Sequence, residues 1–266
     1  MKTELALQTF TIRKFLKKEA DRNKAFRQMK KAGVSGIELA RVSFTPPVIA
    51  HINKLRKREN IDVLSTQIKL DTILKDLDWT IEFHKMLECP RAVVSVISHK
   101  HLKKGRSGLK EYGALLNDTG KTLKEEGIQL LFHHHNYEFV PLAGEEDVDG
   151  MTVLLEVLDP EYVNLVLDTY WLQRSGHDPA AFIRSMSGRV KGVHLRDMTL
   201  KGPLWNPGIR DCALGEGNLD FKGILEACEE AGVEYAAIEQ DSSDPWKSVE
   251  RSLAHLDSFL PKKRGI

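Results

Sequence analysis

The chain has 266 residues, 41% hydrophobic and 29% charged with no biased tract, enough to bury a substantial core as one large domain or two small ones. Its 39 basic and 38 acidic residues leave a formal charge of +1, which gives no electrostatic footing for nucleic acid. No segment approaches about 18 consecutive apolar residues, the start MKTELALQTF lacks the apolar run of a signal peptide, and Cys89, Cys212 and Cys228 are too irregularly spaced for a disulfide framework or thiolate zinc site, so no membrane partner and a cytoplasmic location are expected.

Short apolar runs suited to buried parallel strands recur in chain order as LALQTF, GIELA, IDVLSTQ, AVVSVI, IQLLFHH, VNLVLD, VKGVHL and YAAIEQ. Between most of them lie stretches of helical spacing and mixed charge: DRNKAFRQMKKAG, VIAHINKLRKREN, DWTIEFHKMLEC and LKEYGALLNDTGKTLKEEG. Gly33, Gly127 and Gly232 fall where helices should stop, each running straight into the next strand. Eight such units over roughly 250 residues predict an α/β fold, a single (β/α)8 barrel spanning residues 1–266. A doubly wound open sheet is the competing architecture. Against it, TIRKFLKKEA follows the first strand where a glycine-rich phosphate turn would be needed, and no GxGxxG is present. The tail PKKRGI is expected to fray.

In a closed parallel barrel, chemistry sits at the carboxyl ends of the strands. Strand five ends at His133, His134 and His135, strand six at Asp168, strand seven carries His194, and strand eight ends at Glu239. Four sequential strands therefore finish in groups that bind a divalent cation, and imidazole with carboxylate but no thiolate suits one Mn, Co, Mg, Fe or Zn ion. Each residue also has a plainer reading: Asp168 as a turn cap, His194 as a satisfied core histidine, Glu239 as a salt-bridge partner of Arg196 or Lys191. Alternation along the strand puts His133 and His135 on one face and leaves His134 structural. Glu138 comes after the strand and can curl over the same mouth as ligand or base.

Gln8, Glu38 and Gln67 close the first three apolar runs and would supply hydrogen bonds to a substrate. In LGEGNLDF, Glu216 stands between glycines that allow close backbone approach to a ligand. The stretch MTLKGPLWNPGIRDCAL is long for a βα loop, and Trp205 or Arg210 in it could cover or contact a substrate.

In this order and spacing, LQTFTIR, GIEL, FHHHNYEF, LVLDTYW, VKGVHLRDM, LGEGNLDF and AAIEQD resemble the xylose isomerase-like TIM barrels, specifically the sugar phosphate isomerase/epimerase group, over nearly the whole chain. The resemblance implies one divalent metal ion held by a strand-five residue, Asp168, His194 and Glu239. It departs from the ketose epimerase branch at strand five: His133 or a near neighbour stands where that branch has a glutamate, and histidines here look more like inosose dehydratase. The implied chemistry is metal-assisted enolisation of a sugar, keto-sugar or sugar phosphate, with Glu239, His135 or Glu138 as base. Isomerisation or epimerisation follows if the proton returns, and dehydration of a keto-sugar or inosose if a β-hydroxyl leaves. Trp171 and Phe10 could pack on a sugar ring, and Lys69, Arg196 and Arg210 could meet a phosphate, although no phosphate loop is present. Apurinic endonuclease chemistry needs more metal ligands and a basic groove. A non-catalytic sugar-binding protein and pairing into a homo-oligomer remain open.

Overall fold

The computed structural model describes residues 3–259, so the tail PKKRGI lies outside the described residues. Eight strands form the barrel: β1 (Glu4–Gln8), β2 (Gly36–Leu39), β3 (Asp62–Gln67), β4 (Arg91–Val94), β5 (Gln129–His133), β6 (Val163–Asp168), β7 (Val190–Leu195) and β8 (Tyr235–Ile238). Every neighbouring pair is parallel, and β1 closes the ring on β8 through Glu4↔Tyr235 to Leu7↔Ile238. The open sheet is excluded.

The strands read as continuous apolar runs because both faces are covered. One face packs outward on helices through residues such as Leu130, Phe132, Leu165, Leu167, Val193 and Leu195. The other fills the barrel axis with Ala6, Leu64, Val93, Leu131, Val166, Tyr235 and Ala237. Moving two residues along the strand preserves the inward phase. From this plug the chain therefore reaches Gln8, His133, Asp168 and Glu239, all buried at the carboxyl mouth. Gly192 belongs to the same inward phase on β7. A Cβ there would stand 2.5 Å from the Tyr235 ring, so the missing side chain is what admits the tyrosine to the axis.

Gly33, Gly127 and Gly232 all adopt positive φ at helix ends, as their sequence positions predict. Two antiparallel hairpins were not anticipated from the sequence. Pro141–Leu142 pairs with Glu145–Asp149 after β5, and Asp197–Lys201 pairs with Gly208–Cys212 after β7. The second is built into the long βα connection that runs from β7 to the helix Phe221–Ala231. Its tip carries Leu204 and Trp205, 98% and 88% exposed. Among the described residues no helix is long and apolar enough to cross a membrane, and all three cysteines are free.

Candidate metal centre at the carboxyl mouth

His133, Asp168, His194 and Glu239 each offer one ligand atom, and these atoms lie within 4.8 Å of one another. His133 Nε2 is 3.5 Å from Asp168 Oδ2, and His194 Nδ1 is 3.9 Å from the same oxygen and 2.9 Å from Glu239 Oε2. Donors about 2.1 Å from one ion stand about 3–4 Å apart, so these separations suit a shared cation. All four side chains are buried, and apart from the close His194–Glu239 contact these facing atoms meet one another without a well-formed hydrogen bond. Buried polar atoms are almost always paired, so convergent donors left without good partners suit a shared cation. The donor set therefore fits a divalent metal.

The protonation of His133 and Glu239 suits a ligand as the site stands, whereas Asp168 and His194 each favour a proton that a bound cation would displace. Burial holds the His133 imidazole down to about 3, leaving it neutral with a lone pair free. Asp168 is pushed above its usual range, chiefly by burial, against the pull of Arg196. Burial would also raise Glu239, but the Arg196 guanidinium and His194 outweigh it and hold the carboxyl below the ordinary range. Burial opposes charge on His194, but Glu38 and Glu239 on either side raise it well above its usual value.

Asp168 is the turn cap considered for it, and its second oxygen still faces the cluster. Its Oδ1 accepts from the Trp171 N–H at 3.0 Å and caps the helix Thr169–Arg174, which leaves Oδ2 for the cluster. His134 is structural, as expected. Its Nε2 accepts from the Asp168 N–H at 3.1 Å and its Nδ1–H donates to the His135 carbonyl, stitching β5 to β6.

Glu38 requires a correction. It is fully buried and does not reach the mouth as a substrate contact. Its Oε1 accepts from His194 Nε2 at 2.8 Å, while Oε2 accepts from Ser65 at 2.7 Å and Tyr235 at 2.8 Å. Burial alone would raise this carboxyl, but His194, Ser65 and Tyr235 keep it below the ordinary range. The carboxylate thus holds the imidazole so that Nδ1, not Nε2, faces the cluster, a common arrangement behind metal-bound histidine.

Arg196 roofs the cluster. Its Nη1 lies 3.3 Å from Glu239 Oε1 and 3.6 Å from Asp168 Oδ2, and its Nη2 is 2.5 Å from Asp211 Oδ2 on the hairpin. Asp211 was not recognised in the sequence. Burial raises it to about 6 despite the guanidinium beside it. Asp197 was also missed: its carboxylate accepts N–H groups of Met198, Gly215, Gly217 and Leu219. The glycines of LGEG consequently pack on Asp197, where a Cβ at Gly217 would overlap its carboxylate, and they leave no room there for a ligand. Glu216 itself turns outward to an exposed ion pair with Arg251, 2.6 Å away, which corrects its assignment as a substrate contact.

The strand ends at His133, so alternation no longer governs His135; the His135 ring nevertheless lies 5.1 Å from that of His133 and 5.4 Å from Trp171. His135 Nδ1 and Trp171 Nε1 are both buried without partners. Glu138 is buried outside the four-residue cluster and accepts from the His135 N–H at 2.8 Å; burial raises its carboxyl to about 7. Gln8 donates to Gln67 at 3.2 Å, and Phe10 lies beneath the Arg13 guanidinium. Trp205 stands at the exposed hairpin tip, and Arg210 hydrogen-bonds the Ile209 carbonyl. Lys191 pairs with Glu234.

Comparison with known proteins agrees with this architecture. A family model described as "Xylose isomerase-like TIM barrel" matches residues 26–259. The inosose dehydratase of Lacticaseibacillus casei is 29% identical over 144 residues, 50% of this chain and 47% of that protein. The chain thus spans about half the length of the curated relatives it matches. A sugar phosphate isomerase/epimerase from Parabacteroides distasonis superimposes with a TM-score of 0.80 at 18% identity, covering 97% of this chain and 94% of that one. The IOLI protein with a binding zinc atom superimposes with a TM-score of 0.73 at 13% identity, covering 99% and 100%.

Proposed function

The chain belongs to the xylose isomerase-like TIM barrel family, and from that premise we propose that it is a divalent-metal-dependent enzyme that removes the proton beside the carbonyl of a keto-sugar, inosose or sugar phosphate. The observation that carries this reading is the buried, convergent set of donor atoms on His133, Asp168, His194 and Glu239. An ion there would act as a Lewis acid on the substrate carbonyl and stabilise the enediolate oxygens.

The protein's own groups divide the remaining work. Glu239 is held ionised by Arg196 and His194; with Oε2 turned to the cluster, Oε1 is the oxygen left to take the proton. His135, neutral with a pKa lowered to about 3 by burial, offers a second acceptor beside the cluster. Trp171 Nε1–H is positioned to donate to a substrate hydroxyl, and its ring gives the sugar an apolar wall. Arg196 keeps its charge through three carboxylates and can steady a developing oxyanion. Glu138 fits a supporting role through the His135 backbone, because its carboxylate already bonds that N–H.

Return of the proton gives isomerisation or epimerisation, our leading assignment. Dehydration is the second reading, favoured by His133 where a two-glutamate epimerase needs a carboxylate, and by the similarity to inosose dehydratase. Deuterium exchange in D2O with metal-loaded protein and a panel of keto-sugars, sugar phosphates and inososes tests the shared step. Label at the carbon beside the carbonyl, lost in Glu239→Gln, is expected, and NMR of the products separates epimer from dehydrated ketone. Absence of exchange across the panel contradicts enolisation. We further propose that residues 1–266 form one domain working in the cytoplasm, consistent with three free cysteines.

A further inference from the structure

A cleft of about 510 Å³ opens on the β2–β4 side of the carboxyl mouth, across the barrel from the strands that carry the metal cluster. Arg41 and Lys69 line it, and no carboxylate does. Neither cation has an ion-pair partner among the described residues; Arg41 meets only the Phe10 ring, at 5.6 Å. Neighbouring Arg13, by contrast, is neutralised by Asp241 at 2.8 Å. Ser43, Thr45, Thr72 and Ser95 also line the cleft, with hydroxyls that make no hydrogen bond among the described residues.

Arg41 adds a second kind of evidence. It follows β2 with φ of 58°, a left-handed conformation that glycine adopts freely and an arginine does not. Asn60 and Glu88 share that conformation at helix ends, but Arg41 holds it at the cleft, where Lys69, Ser43, Thr45 and Thr72 are likewise exposed and open to a ligand. Gln67 lines the cleft and bonds Gln8 at the mouth, so the two regions adjoin.

We propose that this cleft binds an oxyanion, a carboxylate or a phosphate, at the end of the substrate remote from its carbonyl. The substrate is then an acidic or phosphorylated sugar or cyclitol, not a neutral one. Its identity as a substrate group rests on the enolisation reading; the anion site itself does not. Arg41 and Lys69 supply charge-assisted hydrogen bonds, and the four hydroxyls fill the remaining acceptor positions.

The test is calorimetric titration of Asp168→Asn protein, whose metal site is disabled, with inorganic phosphate and separately with glycolate. Saturable binding near one anion per chain is expected, weakened about tenfold by Lys69→Met and by Arg41→Gly, which also keeps the backbone unstrained. Binding of phosphate alone identifies a phosphorylated substrate, of glycolate alone a sugar acid, and of both a site selective for charge. No saturable binding, or binding unchanged in both variants, overturns the proposal. Metal-stripped wild type serves equally if Asp168→Asn folds poorly. Anion binding without deuterium exchange would leave this site standing while the enolisation reading falls.

Discussion

Replacing Glu38 by glutamine removes one charge that never touches the ligand atoms, yet it should weaken metal binding. The carboxylate and the His194 imidazole are both fully buried and 2.8 Å apart, so their hydrogen bond is charge-assisted and unscreened. Glu38 fixes the proton on Nε2, leaves Nδ1 as the donor, and raises its basicity. Loss of such a partner typically costs 10- to 100-fold in metal affinity, about 1.4–2.7 kcal/mol. Glutamine matches the volume and can still engage Ser65 and Tyr235, so the barrel should fold normally. Tyr235→Phe is the graded control: it removes one bond to Glu38 but leaves the Glu38–His194 contact, and a loss of about threefold is expected. Competition of stripped protein against a fluorescent chelator for Zn²⁺ or Mn²⁺ reads both, with circular dichroism confirming the fold. Wild-type affinity in Glu38→Gln would refute the role given to this carboxylate.

Two further outcomes follow from burial and packing. Glu138 titrates at about 7 in the folded protein against an ordinary 4.5, so its contribution is fully present below about 4.5 and is lost as pH rises through 7, about 3 kcal/mol in all; denaturant melts of metal-free protein from pH 4.5 to 8 should show that fall and a flatter profile in Glu138→Gln, and parallel profiles would contradict it. Gly192→Ala should destabilise by about 1–3 kcal/mol, because its Cβ would meet the Tyr235 ring at 2.5 Å. Coupled loss of metal affinity is expected as Tyr235 is displaced from Glu38, and an unchanged urea midpoint would sink the argument.

Much of this site was legible because strand periodicity and strand ends carry it. IQLLFHH, VNLVLD and the run to Glu239 each deliver a donor inward, two residues beyond a plug residue on β5, β6 and β8, and VKGVHL does the same two residues beyond Gly192. Depth was not legible. Glu38 ends an apolar run just as Gln8 does, but β2 shifts register against β3 between Ile37 and Glu38, and its carboxylate meets His194 from a strand far away in sequence. Asp211 was hidden because its significance comes from the hairpin pairing Asp197 with Cys212, which folds it back onto Arg196. Glu216 misled for the opposite reason: glycines that look ready for a ligand are taken up by Asp197.

Metal content by elemental analysis, comparing wild type with Asp168→Asn and His133→Ala after identical purification and loading, tests the central claim most directly. The account predicts about one ion per folded chain in wild type and loss in both variants, since each removes one of four convergent donors. Wild type that takes up no divalent ion under any loading condition, while remaining folded, would contradict it.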